Sequence, residues 1–323
     1  MGPLALPPIS LTMSELPLVS IVMPVRDAEA VVGDAIESIL EQTLKDFEFI
    51  VIDDGSTDDS GEILKRYARR DSRIKLYSQR QSGLIASLNK YCRLAKTNYI
   101  ARMDADDISL PARLEKQFQF LEMHPEIGVL GTWIRDVDAN RTPIIDWPVP
   151  ADPAVVRWFL FFGNCIAHPS VMMRKDLLDR LGYYRPEAIY VEDYDLWIRA
   201  AEVTGLANIP EVLLEYRVSK KSVSGRNQSA QERQAEMLRS ELIGEFVSGT
   251  TDVPALYDAY VGKVQPHPKQ RAEIALDVIR RTGMGWRSLR FLPEALSFHT
   301  VKIIVSMGFW FVKHRGQILG RQR

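Results

Sequence analysis

Cysteine is scarce in this sequence: Cys92 and Cys165 are the only two among 323 residues. Two cysteines so far apart form neither a disulfide framework nor the closely spaced ligand pairs of a structural zinc site. A chain of this length can bury a core that is stable without such cross-links. We therefore expect a globular protein of a reducing compartment, which predicts a cytoplasmic location.

Net charge is almost absent, since 41 Lys and Arg oppose 42 Asp and Glu, but the charges are unevenly distributed. Residues 261–323 contain twelve Lys and Arg against three Asp and Glu, so the preceding part of the chain is acidic. An acidic body makes nucleic acid an unfavourable partner and suits the binding of a metal cation. The basic tail suits an anionic partner such as a membrane surface.

A long apolar segment is also missing. A membrane-spanning helix needs about 20 apolar residues, whereas the apolar run at residues 303–312 has only ten, with basic residues on both sides. Two interpretations of this run remain open. In the first, it is an interfacial helix that lies on the anionic cytoplasmic face of the inner membrane. In the second, it packs against the rest of the chain or against a second subunit of a homodimer. Residues 1–17 hold four prolines and no basic residue, which does not fit a secretory signal and predicts a disordered leader.

The first half of the sequence alternates β-rich runs with helical patterns. It predicts four strands, each followed by a helix: strands at 18–23, 47–52, 74–77 and 99–103, helices at 28–42, 58–70, 84–95 and 111–123. This alternation is typical of βαβ units in a mainly parallel sheet. Later the pattern is mixed, with strands expected at 127–136, 166–173 and 211–218, a loop at 141–150 and a helix at 193–203. We expect an α/β fold with a mostly parallel central sheet flanked by helices, and a helical C-terminal extension at 226–323.

Acidic side chains follow three of the predicted strands, namely Asp27 after the first, Asp53 and Asp54 after the second, and Asp104 and Asp106 after the fourth. Ligands of open parallel sheets bind outside the carboxyl ends of the strands, so one edge would collect all of these residues. Carboxylates so close together repel one another and need a counter-cation, for which Mg²⁺ or Mn²⁺ with oxygen ligands is suited. These ions also bridge phosphates, which predicts a nucleotide diphosphate site. The alternative for Asp53 and Asp54 is a turn with a helix cap.

A second acidic pair, Glu192 and Asp193, precedes a predicted helix. Acidic residues stabilise the first turn of a helix through its dipole, and that explanation alone is sufficient. The same dipole keeps a carboxylate ionised, as a general base must be. Both interpretations remain open from the residues themselves.

This ordered set of motifs resembles the family 2 glycosyltransferases, which have the GT-A fold. The matching segments, spread over about residues 17–224, are VSIVMPVRD at 19–27, IVIDDGSTDDS at 50–60, GLIASLN at 83–89, IARMDADD at 100–107, HPSVMMR at 168–174 and EDYDLW at 192–197. Each motif alone is weak, but their order and spacing are specific. The resemblance implies a GT-A catalytic domain at 18–225, with a nucleotide-binding half at 18–107 and an acceptor-binding half at 108–225.

The resemblance also implies donor-side roles for individual residues. The nucleotide-binding residues would be Pro24, Val25, Arg26, Asp27, Asp53, Asp54, Gly83, Asn89 and Asp104. Asp53 or Asp54 would contact the base. Asp104 and Asp106 match an Asp-x-Asp motif that binds Mn²⁺ or Mg²⁺, with Asp104 on the ribose side and Asp106 on the metal.

The resemblance assigns the catalytic base to Asp193, with Glu192 beside it. His168 resembles a subgroup associated with bacterial surface polysaccharides, and either it reaches the metal or acceptor, or it is a buried structural histidine. The implied reaction is inverting transfer of a sugar from a nucleotide diphosphate donor to a hydroxyl group of a carbohydrate or lipid-linked acceptor. A UDP-sugar is the favoured donor, and a thymidine diphosphate sugar such as rhamnose is the alternative.

Three other functions compete with this interpretation. A phosphohydrolase of the haloacid dehalogenase type is disfavoured because Ile108 stands where a small hydroxyl residue is normal. A nicotinamide-dependent dehydrogenase is disfavoured because no Gly-x-Gly-x-x-Gly follows the first strand. A sugar-nucleotide-binding protein without turnover would retain most of the motifs, and only the acidic pair at 192–193 argues against it.

Overall fold

The computed structural model describes residues 17–160, 163–218 and 229–238. The predicted leader, apart from its last residue, and most of the predicted C-terminal region lie outside the described residues, as does the apolar run at 303–312. Residues 229–238 are helical, and the helical extension at 226–323 as a whole stays a prediction. Within the described residues, no helix combines the length and apolarity that crossing a membrane requires.

The first half of the described chain alternates strands and helices as predicted. Its elements are β1 (Val19–Val25), α1 (Val32–Leu40), β2 (Phe47–Asp54), α2 (Ser60–Arg70), β3 (Ile74–Gln79), α3 (Leu84–Leu94) and β4 (Tyr99–Arg102). Strands β1 to β4 are parallel and lie in the order β3-β2-β1-β4. Their carboxyl ends therefore share one edge of the sheet, which confirms the predicted convergence of the loops that follow β1, β2 and β4.

The second half adds mixed pairing to the same sheet. Its elements are β5 (Ile108–Ser109), α4 (Arg113–Met123), β6 (Ile127–Val137), β7 (Pro143–Trp147), α5 (Pro153–Phe159), a 3₁₀ turn (His168–Ser170), β8 (Met172–Arg174), α6 (Lys175–Leu181), α7 (Glu192–Ala201) and β9 (Gly205–Arg217). Strand β8 lies antiparallel between β4 and β6, while β6 and β9 are parallel. The short β5 pairs with β9 and places the loop after β4 against the end of β9.

Two local predictions in this half are wrong. The segment expected to be a loop at 141–150 contains β7, which among the described strands pairs with β6 alone and so accepts a proline at its first residue, Pro143. The strand expected at 166–173 is instead the 3₁₀ turn followed by the three residues of β8. Pro169 within the turn has no amide hydrogen to give to a sheet. Helices α5 and α6 and the two-residue β5 were not predicted.

Apolar layers cover both faces of the sheet, because successive strand residues point to opposite sides. Ile21 and Val51 pack with α1, α2 and α4 on one face, whereas Ile50 and Ile52 pack with α3 and α7 on the other. Burying one such side chain contributes about 1.5–3 kcal/mol. The resulting framework fixes the strand ends, and hence the loops that leave them.

Candidate active site

The loops after β1 and β2 are tied together by Asp27. Its Oδ1 accepts hydrogen bonds from the Thr57 amide (2.8 Å) and the Thr57 hydroxyl (3.2 Å), and its own amide donates to Ser56 Oγ (3.2 Å). The Thr57 amide is the main reason that the pKa of Asp27 is lowered. Asp27 has a φ of 47°, a left-handed conformation that is uncommon outside glycine but that Asp adopts more readily than most residues. The exposed Arg26 pairs with Asp27 (3.4 Å), so this edge presents charge to solvent.

The neighbouring residues Asp53 and Asp54 point to opposite faces of β2 and have different contacts. Asp53 Oδ1 accepts the Ser56 amide (2.9 Å). Asp54 is buried and accepts the amides of Ser82 and Gly83 (2.8 Å each) and the Gln79 side chain (2.9 Å). Burial would raise the pKa of Asp54, but these hydrogen bonds outweigh it and lower the pKa. Asp54 therefore holds the turn that starts α3, where Gly83 has the left-handed φ of 87°.

The predicted donor-side residue Asn89 contacts a distant part of the chain. Its side-chain amide donates to the Tyr184 carbonyl (2.8 Å), and its Oδ1 accepts the Tyr184 amide (2.9 Å). Pro24 is half-buried and Val25 is buried at the end of β1. The structure thus places Asn89 under the site as a link between α3 and the segment before α7, while its predicted contact with the nucleotide stays a prediction.

Three carboxylates converge in the loop after β4. Asp104, Asp106 and Asp107 each offer an oxygen, and these oxygens lie within 4.8 Å of one another. Burial, and then the charge of Asp104, raise the pKa of Asp106 to about 6. The buried Asp107 accepts the Arg217 amide at Oδ1 (2.9 Å), whereas its Oδ2 has no hydrogen-bond partner among the described residues.

This set of oxygens fits a divalent cation. Hard ions such as Mg²⁺ and Mn²⁺ are bound through carboxylate oxygens, and an unpartnered buried carboxylate oxygen is otherwise costly. The raised pKa values of Asp106 and Asp107 have burial and neighbouring negative charge as their causes, which a cation would offset. The residues present therefore agree with the metal site that the sequence predicted.

A buried arginine lies beneath this loop. Arg102, the last residue of β4, is 3% exposed, and both terminal nitrogens of its guanidinium contact the two carboxylate oxygens of Asp104, with Nη1 2.5 Å from Oδ2. Its positive charge also lowers the pKa values of Glu192 and Asp193, although both remain raised. Arg102 therefore joins the acidic loop after β4 to the acidic pair of α7.

The acidic pair begins α7. Burial is the first cause that raises the pKa values of Glu192 and Asp193, and the charge of Asp193 helps to bring the pKa of Glu192 to about 7. Asn164 donates to Asp193 Oδ2 (2.7 Å) and fixes the orientation of that carboxylate. Tyr190, just before the pair, has a φ of 71°. A carboxylate with a raised pKa is a better proton acceptor at neutral pH than an ordinary aspartate.

His168 is buried against Tyr184 and Trp197, the latter on α7. Its Nε2 is 2.9 Å from the Tyr184 hydroxyl, and its ring meets the edge of Trp197 at 6.0 Å between centroids. Burial, and then the charge of Arg102, lower its pKa well below the usual value, so the ring is neutral. Of the two interpretations left open by the sequence, these contacts favour a structural histidine.

Sequence reasoning missed Arg102, Asn164 and Tyr184. A signal for Arg102 was present, because a charged residue in an otherwise apolar strand must find a partner at its end. Asn164 and Tyr184 lie in segments without any motif, and their contacts with Asp193 and His168 depend on the tertiary fold.

The chain matches known proteins over much of its length. Residues 20–182 match the model of the family described as Glycosyl transferase family 2. The O-antigen biosynthesis glycosyltransferase WbnJ of Escherichia coli is 36% identical over 244 residues, which are 72% of this chain and 94% of WbnJ.

Solved structures of low sequence identity share the fold. TarS 1-349 of S. aureus in complex with UDP-GlcNAc is 14% identical with a TM-score of 0.55, and the match covers 92% of each chain. The mannosyltransferase PcManGT of Pyrobaculum calidifontis, in complex with GDP-Man and Mn²⁺, is 16% identical with a TM-score of 0.53, covering 95% of this chain and 88% of that one. Because the family model spans half of the chain and WbnJ matches along nearly its whole length, this chain belongs to glycosyl transferase family 2, and its fold is GT-A.

Proposed function

We propose that this protein is a metal-dependent, inverting glycosyltransferase. It moves a sugar from a nucleotide diphosphate donor to a hydroxyl acceptor in the synthesis of a bacterial surface polysaccharide or glycolipid. The observation that carries the proposal is the acidic pair of the buried Glu192 and the half-buried Asp193, which shares the positive charge of Arg102 with the carboxylates after β4. A pair with raised pKa values beside a cation site is arranged for proton transfer at a phosphate-bearing substrate.

The donor lies along the edge formed by the loops after β1, β2 and β4. Pro24 to Asp27 border the base, together with Asp53, whose carboxylate is not enclosed by the turn before α3 as that of Asp54 is. A UDP-sugar is favoured, in line with the UDP-GlcNAc bound by the similarly folded TarS. Since PcManGT binds GDP-Man, the fold itself accepts more than one base, and a thymidine diphosphate sugar is the alternative.

Asp106, with Asp104 beside it, would hold Mn²⁺ or Mg²⁺ next to the donor's diphosphate. When bound, such an ion neutralises charge on the departing diphosphate. PcManGT with Mn²⁺ bound supports this assignment by likeness of fold. Asp107 follows Asp106 in the chain. Its Oδ1 accepts a hydrogen bond from the backbone amide of Arg217, the last residue of β9.

Asp193 takes the proton of the acceptor hydroxyl as that oxygen attacks the anomeric carbon of the sugar from the side opposite the diphosphate. Asn164 holds one carboxylate oxygen and leaves Asp193 oriented for this contact. Attack from the opposite side inverts the anomeric configuration. Proton removal by a positioned base typically contributes about 10²–10⁴-fold to the rate.

The acceptor is a carbohydrate or a lipid-linked carbohydrate. Similarity to the O-antigen biosynthesis enzyme WbnJ over almost its full length supports a surface-polysaccharide acceptor. Such acceptors suit an enzyme at the cytoplasmic face of the inner membrane, which the basic residues at 261–323 would contact.

Thermal unfolding of the full chain with a panel of UDP-, GDP- and thymidine diphosphate sugars, each with and without Mn²⁺, tests the proposal. We expect one donor class to raise Tm, and only with Mn²⁺, because ligand binding to the folded state stabilises it. Asp106→Ala should remove the Mn²⁺-dependent rise, whereas Asp46→Ala, an exposed carboxylate at the other end of β2, should retain it. A wild-type chain that responds to no donor under either condition would contradict the proposal.

A further inference from the structure

The buried guanidinium of Arg102 has a single acidic contact. It is 3% exposed, both terminal nitrogens face the carboxylate of Asp104, and its Nε has no hydrogen-bond partner among the described residues. Its backbone continues the sheet, with Val22 of β1 as its register partner. The side chain is thus fixed at its base by β4 and at its tip by Asp104.

Arg102 is surrounded by negative charge. Its guanidinium interacts electrostatically with five acidic residues, namely Asp104, Asp106, Asp107, Glu192 and Asp193. These residues come from two separate segments, the loop after β4 and the start of α7. Arg102 is therefore the counter-charge at the point where the two segments meet.

The other two arginines near this cluster contact it differently. Arg113 donates to the backbone carbonyls of Pro169 and Arg102. Arg217 donates to the carbonyls of Asp106 and Ala139, and its ion pair is with Asp34 on α1. Within the described part of the chain, Arg102 is thus the arginine whose charged tip pairs with a carboxylate of the cluster.

A buried ion pair is weak evidence for a purely stabilising role, since replacing such a pair by apolar residues is often neutral or stabilising. Its geometry has a chemical effect instead. The two-nitrogen contact involves both oxygens of Asp104, so the charge of this carboxylate is already compensated by the protein. Among the described residues, no arginine side chain pairs with the carboxylate of Asp106. This carboxylate is therefore left to bind a cation.

We propose that Arg102 is a positioning residue that makes metal uptake depend on the donor. By pairing with Asp104 it prevents the carboxylates after β4 from closing on a divalent cation alone, so the cation binds together with the diphosphate, whose oxygens complete its ligands. This inference rests on the proposed function, because it assigns a task to one residue of that metal site.

Binding of Mn²⁺ to the full chain, titrated by calorimetry with no nucleotide present and then with UDP, tests the inference. Arg102→Met should bind Mn²⁺ alone more tightly than the wild type, on the order of tenfold, as expected for removal of one unit charge a few Å from the ion. The increase in Mn²⁺ affinity that UDP gives should shrink by a similar factor. Arg102→Lys keeps the charge but loses the two-nitrogen contact, and should lie between the two.

The matched control is Arg174→Met. Arg174 lies on the adjacent β8 beside the start of β4, away from the cluster, and binds the carbonyls of Ile127 and Leu121. Its replacement should lower Tm and leave the Mn²⁺ affinity within about twofold of the wild type. If Arg102→Met does not fold, Arg102→Gln retains a donor for Asp104 without the charge and should show the same tighter binding.

The outcomes separate the two proposals. Unchanged or weaker binding of Mn²⁺ alone by the charge-removing variant overturns the role of Arg102, because a merely structural arginine gives that result, and leaves the proposed function intact. A wild-type chain that binds neither Mn²⁺ nor any nucleoside diphosphate overturns the proposed function itself.

Discussion

The two sides of the site hold their carboxylates in opposite ways. On the side of β1 and β2, Asp27 and Asp54 accept backbone amides from neighbouring loops, and their pKa values are lowered. On the side of β4 and α7, burial outweighs the hydrogen bonds that Asp106, Glu192 and Asp193 receive, and their pKa values are raised.

This difference separates structural from chemical carboxylates. A carboxylate saturated with amide hydrogen bonds stays ionised and fixes a loop, but has little capacity left for a ligand. A carboxylate whose charge is costly gains from a cation or a proton, which is what catalysis requires. Substitution of Asp54 on the first side should therefore affect stability, whereas substitutions on the second side should affect chemistry.

The largest effect is expected from Asp193→Asn. The amide cannot accept a proton, so turnover should fall by about 10²–10⁴-fold while donor binding is retained. Donor hydrolysis, in which water replaces the acceptor, measures this as nucleoside diphosphate released. Asp195→Asn is the matched control on the same helix, because Asp195 pairs with Arg185 and Arg199 and should affect Tm rather than turnover. Near wild-type hydrolysis by Asp193→Asn would show that the base is another residue.

The substitution Asp54→Asn should have an intermediate effect, and this effect should be on stability. Its carboxylate accepts from Ser82, Gly83 and Gln79, and an amide turns one acceptor into a donor, so the free energy of unfolding should fall by about 1–3 kcal/mol. Urea denaturation measures this. The lowered pKa means that the stabilisation is present above the unfolded value of about 3.9 and is lost as pH falls through the folded pKa. The difference in the free energy of unfolding between variant and wild type should therefore shrink in acid. A variant of normal stability but low turnover would contradict the proposed difference between the two sides of the site.

The smallest effect is expected from Glu192→Gln, on pH dependence. Asp193 must be ionised to act as a base, and its raised pKa places the acidic loss of turnover above the pH expected for an ordinary aspartate. Removing the neighbouring negative charge should move this loss to lower pH, by roughly one unit or less. Profiles of kcat/KM against pH measure it. In the wild type and the variant alike, the groups that interact with the pair are Arg102, Asp104, Asn164 and Tyr184. A shift to higher pH would mean that the two carboxylates do not oppose each other's ionisation.

Much of the fold could be predicted because its strands are strong apolar runs. Strands β1, β2 and β4 are buried on both faces, and each begins or ends within a few residues of the prediction. Strand β7 was missed because it is exposed, begins with Pro143 and borders a single strand, so neither periodicity nor composition marks it. Tertiary pairing, rather than local propensity, creates such an element.

The site was predictable in its carboxylates but not in their partners. The acidic residues after β2 and β4 stand in short recognisable motifs, whereas the contact of Asn164 with Asp193 spans 29 residues. The sequence equally could not distinguish Asp53 from Asp54, because only the strand pleat and the turn before α3 decide which carboxylate is enclosed.

The side chain of Asn89 pairs with a backbone peptide as a neighbouring strand would. It donates to the carbonyl of Tyr184 and accepts from the amide of Tyr184, 95 residues further along the chain. Through this one residue, the helix that follows the donor-side turn is fastened to the segment leading into α7. Two segments that flank the site from different parts of the chain are thereby attached by a pair of peptide-like hydrogen bonds, without a strand between them.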